Sequence, residues 1–185
     1  MKLWLLRHAR VSLPPGLCYG ASDVPADEVH TRMAARHWAQ TLPAGLRLRV
    51  SALGRAGQLA RALRALRPDL PEALVDARLN EMDFGRWEQQ HWDAIPRAAF
   101  DDWMADFAHH RVGGGESTQT VIDRVAAALA DERARASEGD AVWFTHAGVI
   151  RAACYLAGGG VTPIPGVAHW PREAPGPGEG LCLAL

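Results

Sequence analysis

Two histidines each lie just beyond a short apolar run of the chain. His8 follows the run at residues 2–6, and His146 follows the run at residues 141–144. Runs of this kind are typical of strands buried on both faces. Ligands of open α/β sheets bind outside the carboxyl ends of the strands. We therefore expect both histidines at the same edge of one sheet.

Two arginines are expected at that edge as well. Arg7 directly precedes His8, and Arg55 opens the helix that follows the second predicted strand. A lone histidine is usually a core or surface residue, but two histidines and two arginines beside helix N-termini favour a site for a multiply charged anion. Phosphate is the first candidate for that anion.

Histidine is itself a candidate nucleophile, because the motifs of other nucleophiles and of zinc hydrolases are missing. The chain has no G-x-S-x-G, no H-E-x-x-H and no cysteine near a plausible partner. A neutral imidazole can attack phosphorus. Arg7 and Arg55 are expected to lower the pKa of His8 by like-charge repulsion, which keeps its lone pair available.

A leaving alkoxide needs a proton, and two acidic residues follow the third predicted strand. Glu81 and Asp83 alternate along an extended segment, so both can face the same side. Either could be the general acid, and the residue types alone do not choose between them.

The elements that must position these groups alternate between strand and helix. Strands are predicted at 2–6, 46–52, 73–79, 141–144 and 181–185, and helices at 31–42, 55–66, 117–136 and 149–156. This alternation predicts a single α/β domain over residues 1–185, a three-layer α/β/α sandwich with a mainly parallel sheet. The inward stripes are expected to be Met33, His37, Trp38 and Thr41 in the first helix and Leu59, Ala62, Leu63 and Leu66 in the second.

An aromatic segment at residues 87–112 interrupts the alternation. We interpret it as a small helical insertion over the active site, whose Phe100, Trp103, Met104 and Phe107 form one helical face. Phe100 and Phe107 are expected in the core. Trp87 or Trp92 is the candidate wall of the substrate site.

Composition narrows the class of partner. Lys+Arg number 20 and Asp+Glu 21, so the basic excess of a nucleic-acid-binding protein is missing. No apolar run approaches the ~20 residues that span a bilayer. Cys18, Cys154 and Cys182 are widely spaced and predict free thiols. Without a signal peptide pattern, we expect a cytoplasmic protein.

No metal and no organic cofactor is expected. His109 and His110 are adjacent, so they point to different faces, and they lack a spaced third ligand. Lys2 is the only lysine, and no P-loop motif occurs.

The chain resembles the histidine phosphatase (phosphoglycerate mutase-like) superfamily, and within it bacterial proteins of the α-ribazole phosphatase type. Matching segments occur in family order over nearly the whole chain. They are Leu6-Arg7-His8, residues 16–20 with Ser22 and Asp23, residues 51–55 with Gln58, Leu79-Asn80-Glu81 with Phe84-Gly85 and Trp87-Glu88, Gly115-Glu116-Ser117, and residues 145–151.

The resemblance implies roles for the polar groups. His8 would be the phosphorylated nucleophile, Arg7, Arg55 and His146 the phosphoryl ligands, and Glu81 the general acid that later activates water. It also implies that Tyr19 and Gly20 lie in a loop beside the phosphate.

The chain departs from the family where alanine replaces the usual glycine at Ala9 and Ala147, which adds a methyl group beside the pocket. Ala147 is expected in the substrate site. Arg10 follows the nucleophile by two positions in a loop that borders the pocket mouth. If it faces the site, we predict that it selects substrates with a second anionic group; the alternative is that it points to solvent and has no role.

These residues favour a phosphatase that hydrolyses a small-molecule phosphomonoester through a phosphohistidine, with α-ribazole 5′-phosphate as a candidate substrate. Two alternatives remain: a non-catalytic paralogue that binds a phosphorylated ligand, and a phosphoglycerate mutase-like phosphotransferase. The intact polar set argues against the first, and the short insertion gives little surface for enclosing a bisphosphate. The sequence leaves the oligomeric state open, a homodimer included.

Overall fold

Five strands form one mainly parallel sheet in the computed structural model, which describes residues 1–185. The strands are β1 (Lys2–Arg7), β2 (Arg47–Val50), β3 (Leu74–Val75), β4 (Ala141–Thr145) and β5 (Gly180–Ala184). Their order is β3-β2-β4-β1-β5, and only β5 runs antiparallel, against β1. The predicted sheet is confirmed.

Four of the five helices cover the two faces of the sheet. The helices are α1 (Glu28–Thr41), α2 (Gly54–Leu66), α3 (Arg97–Ala105), α4 (Thr118–Ala134) and α5 (Ala147–Ala157). Because strand side chains alternate between faces, Leu6 and Phe144 pack with α1 and α2, while Leu5 and Trp143 pack with α4 and α5. The result is the expected three-layer sandwich. None of the five helices combines the length and the apolar composition that a membrane-spanning helix requires.

Helix α1 begins earlier and faces differently than predicted. The Asp27 side chain caps it by accepting from the His30 backbone N–H at 2.7 Å, so it begins at Glu28 rather than at residue 31. Its buried residues are Thr31, Ala34, Ala35 and Trp38. Met33 is 60 % exposed, and of the predicted stripe only Trp38 is buried. The buried face of α1 contains small alanines, and not the larger side chains that were predicted, because α1 packs closely against α2.

Helix α2 buries Leu59 and Leu63 as predicted, together with Arg55, Ala56 and Ala60. Leu66 was expected to point inward but lies exposed at the end of the helix. Ser117 caps α4 as predicted, accepting from the Thr120 backbone N–H at 3.1 Å.

The third strand is shorter than predicted. It covers only Leu74–Val75 at the sheet edge, and a 3-10 turn replaces its second half at Ala77–Leu79. The chain turns there because the Asp76 side chain accepts from the Arg78 backbone N–H at 3.0 Å.

The aromatic segment at 87–112 contains α3 and short 3-10 turns. Trp87, Ile95 and Phe107 are buried in the same core cluster as α4 and α5, and Phe100 packs against that cluster. Trp87 therefore lies in the core and not on a substrate wall.

The carboxylate of Glu132 binds two arginines of β2, Arg47 and Arg49. Glu132 on α4 has no solvent exposure, and its oxygens lie 2.5 Å from Arg47 Nη1 and 2.8 Å from Arg49 Nε. It also accepts from Trp143 Nε1 at 3.0 Å. This arrangement explains how arginines can alternate with the buried Leu48 and Val50 of β2.

Replacing Glu132→Gln should lower the free energy of unfolding by about 3 kcal/mol, because the partly buried Arg47 loses its counter-charge and Arg49 keeps only Asp76 as an ionic partner. Urea denaturation followed by circular dichroism measures the change. Glu138→Gln, which breaks an exposed pair with Arg135, is the matched control and should have little effect. Similar changes in the two variants would contradict a stabilising role for the buried carboxylate.

Candidate active site

Parallel pairing of β1 with β4 brings the two histidines together. Arg7 is in register with Thr145, so His8 and His146 follow neighbouring strand ends. Their ring centroids lie 5.1 Å apart. His8 is 2 % exposed and His146 is fully buried. The structure thus places both rings at one edge of the sheet, as the sequence predicted.

The tautomer of His8 follows from its single hydrogen bond. His8 Nδ1 lies 2.6 Å from the Ala9 carbonyl oxygen, which can only accept, so Nδ1 carries the proton and Nε2 holds the lone pair. Burial, and next the charge of Arg55, lower the pKa of His8 to about 3, with a smaller contribution from Arg7. At neutral pH the ring is therefore neutral, with a nucleophilic Nε2.

His146 has the opposite tautomer. Its Nε2 lies 2.8 Å from Ser51 Oγ, and the Ser51 hydroxyl donates to Asn80 Oδ1 at 2.8 Å, so His146 Nε2–H must be the donor to Ser51. Nδ1 is buried without a hydrogen-bond partner. Burial, followed by Arg55 and His8, lowers the pKa of His146 well below its usual value. A proton on Nδ1 would let this ring donate to a phosphoryl oxygen.

Arg55 is fully buried without an ion-pair partner. Its Nη1 donates to the Ser22 carbonyl at 2.7 Å and its Nη2 to the Gly20 carbonyl at 2.6 Å, while Cζ lies 5.3 Å from the centre of the Tyr19 ring. Carbonyls alone do not neutralise a buried charge. An anion bound at this place would do so.

Three buried nitrogens of the predicted phosphoryl ligands have no hydrogen-bond partner: Arg7 Nε, Arg55 Nε and His146 Nδ1. Arg7 is otherwise held by the Pro175 carbonyl, to which Nη1 donates at 2.9 Å. Buried polar atoms are nearly always paired in folded proteins. These three therefore mark a site for a ligand with several acceptor oxygens.

The structure brings Glu81, and not Asp83, to the histidines. Glu81 accepts from the Gly148 backbone N–H at 3.1 Å and from the Met82 N–H at 3.0 Å. A Cβ on residue 148 would lie 2.2 Å from Glu81 Oε1, so only glycine permits this approach. Asp83 turns away and accepts from the Gly85 N–H at 2.7 Å.

Glu88 ties the loop at residues 19–23 to the segment that begins at Glu81. One carboxylate accepts from the Ala21 and Ser22 backbone N–H groups at 2.8 and 3.0 Å, from Ser22 Oγ at 2.5 Å and from the Phe84 N–H at 3.0 Å. Glu88 belongs to a segment that resembles the family in sequence, but its role could not be predicted from the sequence. The cluster of backbone donors on its carboxylate appears only in three dimensions.

A cavity of about 190 Å³ opens beside His8. Its lining residues are Arg7, His8, Leu17, Tyr19, Gly20, Glu81, Phe84 and Trp92. Tyr19, Gly20 and Trp92 thus lie where the sequence analysis expected substrate contacts. The cavity places the His8 imidazole, the Arg7 guanidinium and the Glu81 carboxyl group around one small volume.

Four predicted site residues are not among the lining residues of the cavity: the buried Arg55 and His146, and also Arg10 and Ala147. Arg10 is exposed and is not among the lining residues, and its backbone N–H donates to His30 Nδ1 at 2.9 Å. Ala147 is the first residue of α5 and is almost fully buried, also outside the lining. Selection by Arg10 stays a prediction.

A second, apolar cleft of about 290 Å³ adjoins the cavity. Glu81 and Phe84 line both. The further lining residues are Met82, Trp103, Met104, Phe107, Thr118, Val121, Gly148, Arg151, Val167 and Trp170. Trp170 lies in a Gly- and Pro-rich stretch without periodicity, so no sequence signal linked it to the site. No group of three His, Cys, Asp or Glu side chains could hold a metal ion.

Residues 3–165 match the profile of the histidine phosphatase superfamily (branch 1). The chain belongs to this superfamily. The protein TTHB049 from Thermus thermophilus is a structural neighbour with a TM-score of 0.72 and 26 % identity, covering 100 % of this chain and 94 % of its own.

Two further neighbours in the superfamily bear names of enzymes. A phosphoglycerate mutase from Thermus thermophilus has a TM-score of 0.69 and 26 % identity, covering 100 % of this chain and 99 % of its own. A mycobacterial glucosyl-3-phosphoglycerate phosphatase has a TM-score of 0.72 and 26 % identity, covering 84 % of this chain and 78 % of its own. None of the curated protein sequences matches the chain.

We expect His8 and His146 to remain neutral between pH 8 and pH 5, because the pKa of each is far below the usual value. NMR of the eight histidine side chains measures this, with the two residues assigned from His8→Asn and His146→Asn variants. Saturating inorganic phosphate should raise the pKa of His146, since a dianion stabilises the imidazolium. Titration of either ring near pH 6.5 in the free protein would contradict the expectation.

Proposed function

We propose that the protein is a phosphatase that hydrolyses a small-molecule phosphomonoester through a phosphohistidine on His8. The observation that carries this proposal is the neutral, Nε2-nucleophilic tautomer of His8 at a cavity shared with Arg7 and Glu81. Membership of the histidine phosphatase superfamily supports the reaction class.

In the first step, His8 Nε2 attacks phosphorus and the ester P–O bond breaks. Protonated Glu81 gives its proton to the departing alkoxide. The phosphorylated ring is an imidazolium, and its Nδ1–H continues to donate to the Ala9 carbonyl. Arg7, Arg55 and His146 stabilise the charge that develops on the phosphoryl oxygens.

In the second step, the Glu81 carboxylate takes a proton from water while the water oxygen attacks phosphorus. The N–P bond breaks, its electron pair returns to Nε2, and inorganic phosphate leaves. His8 is again neutral and Glu81 is again protonated, so the cycle closes without another reactant.

The scarcity of positively charged residues beyond the cavity favours hydrolysis over mutase chemistry. The space beyond the cavity is the apolar cleft, in which Arg151 is the one positively charged lining residue. A bisphosphate that stays bound between two transfers needs a second group of cations. The complete polar set also favours turnover over mere ligand binding.

α-Ribazole 5′-phosphate is the specific candidate substrate, and cytoplasm the proposed location. Support for the substrate comes from the motif resemblance and from the fit between the planar base of this ester and an aromatic cleft. A panel of phosphomonoesters that includes it, assayed for free phosphate with EDTA present, tests the assignment.

His8→Ala should reduce kcat/KM by roughly 10⁴-fold or more, because the covalent step has no nucleophile. Brief incubation with a ³²P-labelled ester should leave an acid-labile, base-stable adduct on the wild type only. His109→Ala, on an exposed residue that lines neither the cavity nor the adjoining cleft, is the control and should behave as wild type. Substantial turnover by His8→Ala would exclude the phosphohistidine route.

Glu81→Gln should slow alkyl phosphates by about 10²- to 10⁴-fold, since the alkoxide departs without a proton donor. With 4-nitrophenyl phosphate, whose leaving group needs no proton, a burst of nitrophenolate should persist and phosphoenzyme should accumulate. Rapid-quench kinetics measures both, and Asp83→Asn is the matched control. Equal losses of the burst and of alkyl ester turnover would remove Glu81 from the acid role.

A further inference from the structure

The apolar cleft has rigid, flat walls. Trp103 and Phe107 stack with ring centroids 5.8 Å apart and an interplanar angle of 13°, and Trp170 meets Phe107 edge-on at 6.1 Å. Trp103 is fixed further because its Nε1–H donates to Thr118 Oγ1 at 3.1 Å. Fixed aromatic faces bind planar apolar groups well, because little side-chain freedom is lost on binding.

The cleft begins where the leaving group must depart. Glu81 and Phe84 line both the cleft and the cavity beside His8. If Glu81 protonates the bridging oxygen, the rest of the alcohol must extend from Glu81 away from the phosphoryl group. The adjoining cleft shares Glu81 and Phe84 with the cavity and offers a volume of about 290 Å³ for this part of the substrate.

Arg151 adds a positive charge to this wall. It follows Gly148 by three residues on α5, so both lie on one helical face, about 4.5 Å apart along the axis. The guanidinium makes one long hydrogen bond, 3.4 Å from Nη2 to the Arg172 carbonyl, and no ion pair. A half-buried guanidinium without an acidic partner can still bind a carboxylate in two-point geometry.

We propose that the cleft is the leaving-group subsite and that it selects alcohols bearing a planar apolar ring with an acidic substituent. The ring packs on Trp103 and Phe107, and the carboxylate pairs with Arg151. This inference rests on the proposed phosphatase function. A neutral ring, such as the base of α-ribazole, would use only the aromatic walls of the subsite, so a measured preference for the carboxylate would count against α-ribazole 5′-phosphate as the substrate.

Three phosphate esters of similar size separate the two features of the subsite. Benzyl phosphate, 4-carboxybenzyl phosphate and cyclohexylmethyl phosphate all release a primary alcohol, so they make similar demands on Glu81. Benzyl phosphate and 4-carboxybenzyl phosphate differ only in the carboxylate. Benzyl phosphate and cyclohexylmethyl phosphate differ in whether the ring is flat. Steady-state kcat/KM for each is followed by release of inorganic phosphate.

For the wild type, kcat/KM for the carboxybenzyl ester should exceed that for benzyl phosphate by about ten- to a hundredfold, as expected for one charge-assisted pair. The kcat/KM for benzyl phosphate should in turn exceed the kcat/KM for the cyclohexylmethyl ester. Arg151→Met keeps the apolar stem of the side chain and should reduce the carboxybenzyl-to-benzyl ratio to about one. Trp103→Leu should instead reduce the benzyl-to-cyclohexylmethyl ratio.

Arg133→Met is the matched control, because it removes an exposed arginine of α4 outside the cleft, and should keep both ratios. Product inhibition of the wild type gives a measurement that needs no variant. Of the two alcohol products, 4-(hydroxymethyl)benzoate should inhibit the wild type more strongly than benzyl alcohol.

The outcomes distinguish the two levels of the proposal. No phosphate release from any ester, or release that survives His8→Ala, would overturn the proposed function. A second result is phosphate release that depends on His8 but shows no preference for the carboxylate, and a third is a preference that persists in Arg151→Met. Either of these two results would contradict the proposed subsite without contradicting the proposed phosphatase function.

Discussion

Arg55 carries a full positive charge at a position closed to solvent, and the arrangement around His8 depends on it. Its guanidinium is held by two carbonyls of the loop at residues 19–23, and its charge helps to keep both site histidines neutral. In the proposed mechanism, the same charge keeps the nucleophile neutral and attracts the anion that the nucleophile attacks. Removing it would change the electrostatic environment of both histidines.

Glu88 and Gly148 hold the acid and the loop in place around that charge. Glu88 receives donors from the loop and from Phe84, so the two segments cannot separate without losing several hydrogen bonds. Gly148 lets the first turn of α5 approach Glu81. The Glu81 carboxyl group is oriented by the backbone N–H groups of Met82 and Gly148, which bind its two oxygens.

Much of the fold and of the site could be predicted from the sequence, because buried strands are continuous apolar runs and His8 and His146 directly follow two of them. What could not be predicted depends on contacts between distant segments. The choice of Glu81 over Asp83 is made by α5. The face of α1 is set by close packing against α2, which periodicity does not encode. Trp170 reaches the cleft from a segment without regular structure.

The pairing partners of β1 have a consequence for how the protein acquires its site. The strand that precedes His8 hydrogen-bonds only to β4 and β5, which lie more than 130 residues further along the chain. Such contacts close very long loops and form slowly. During synthesis β1 therefore cannot pair until β4 and β5 have been made. A folding intermediate that forms before then cannot place the two histidines side by side.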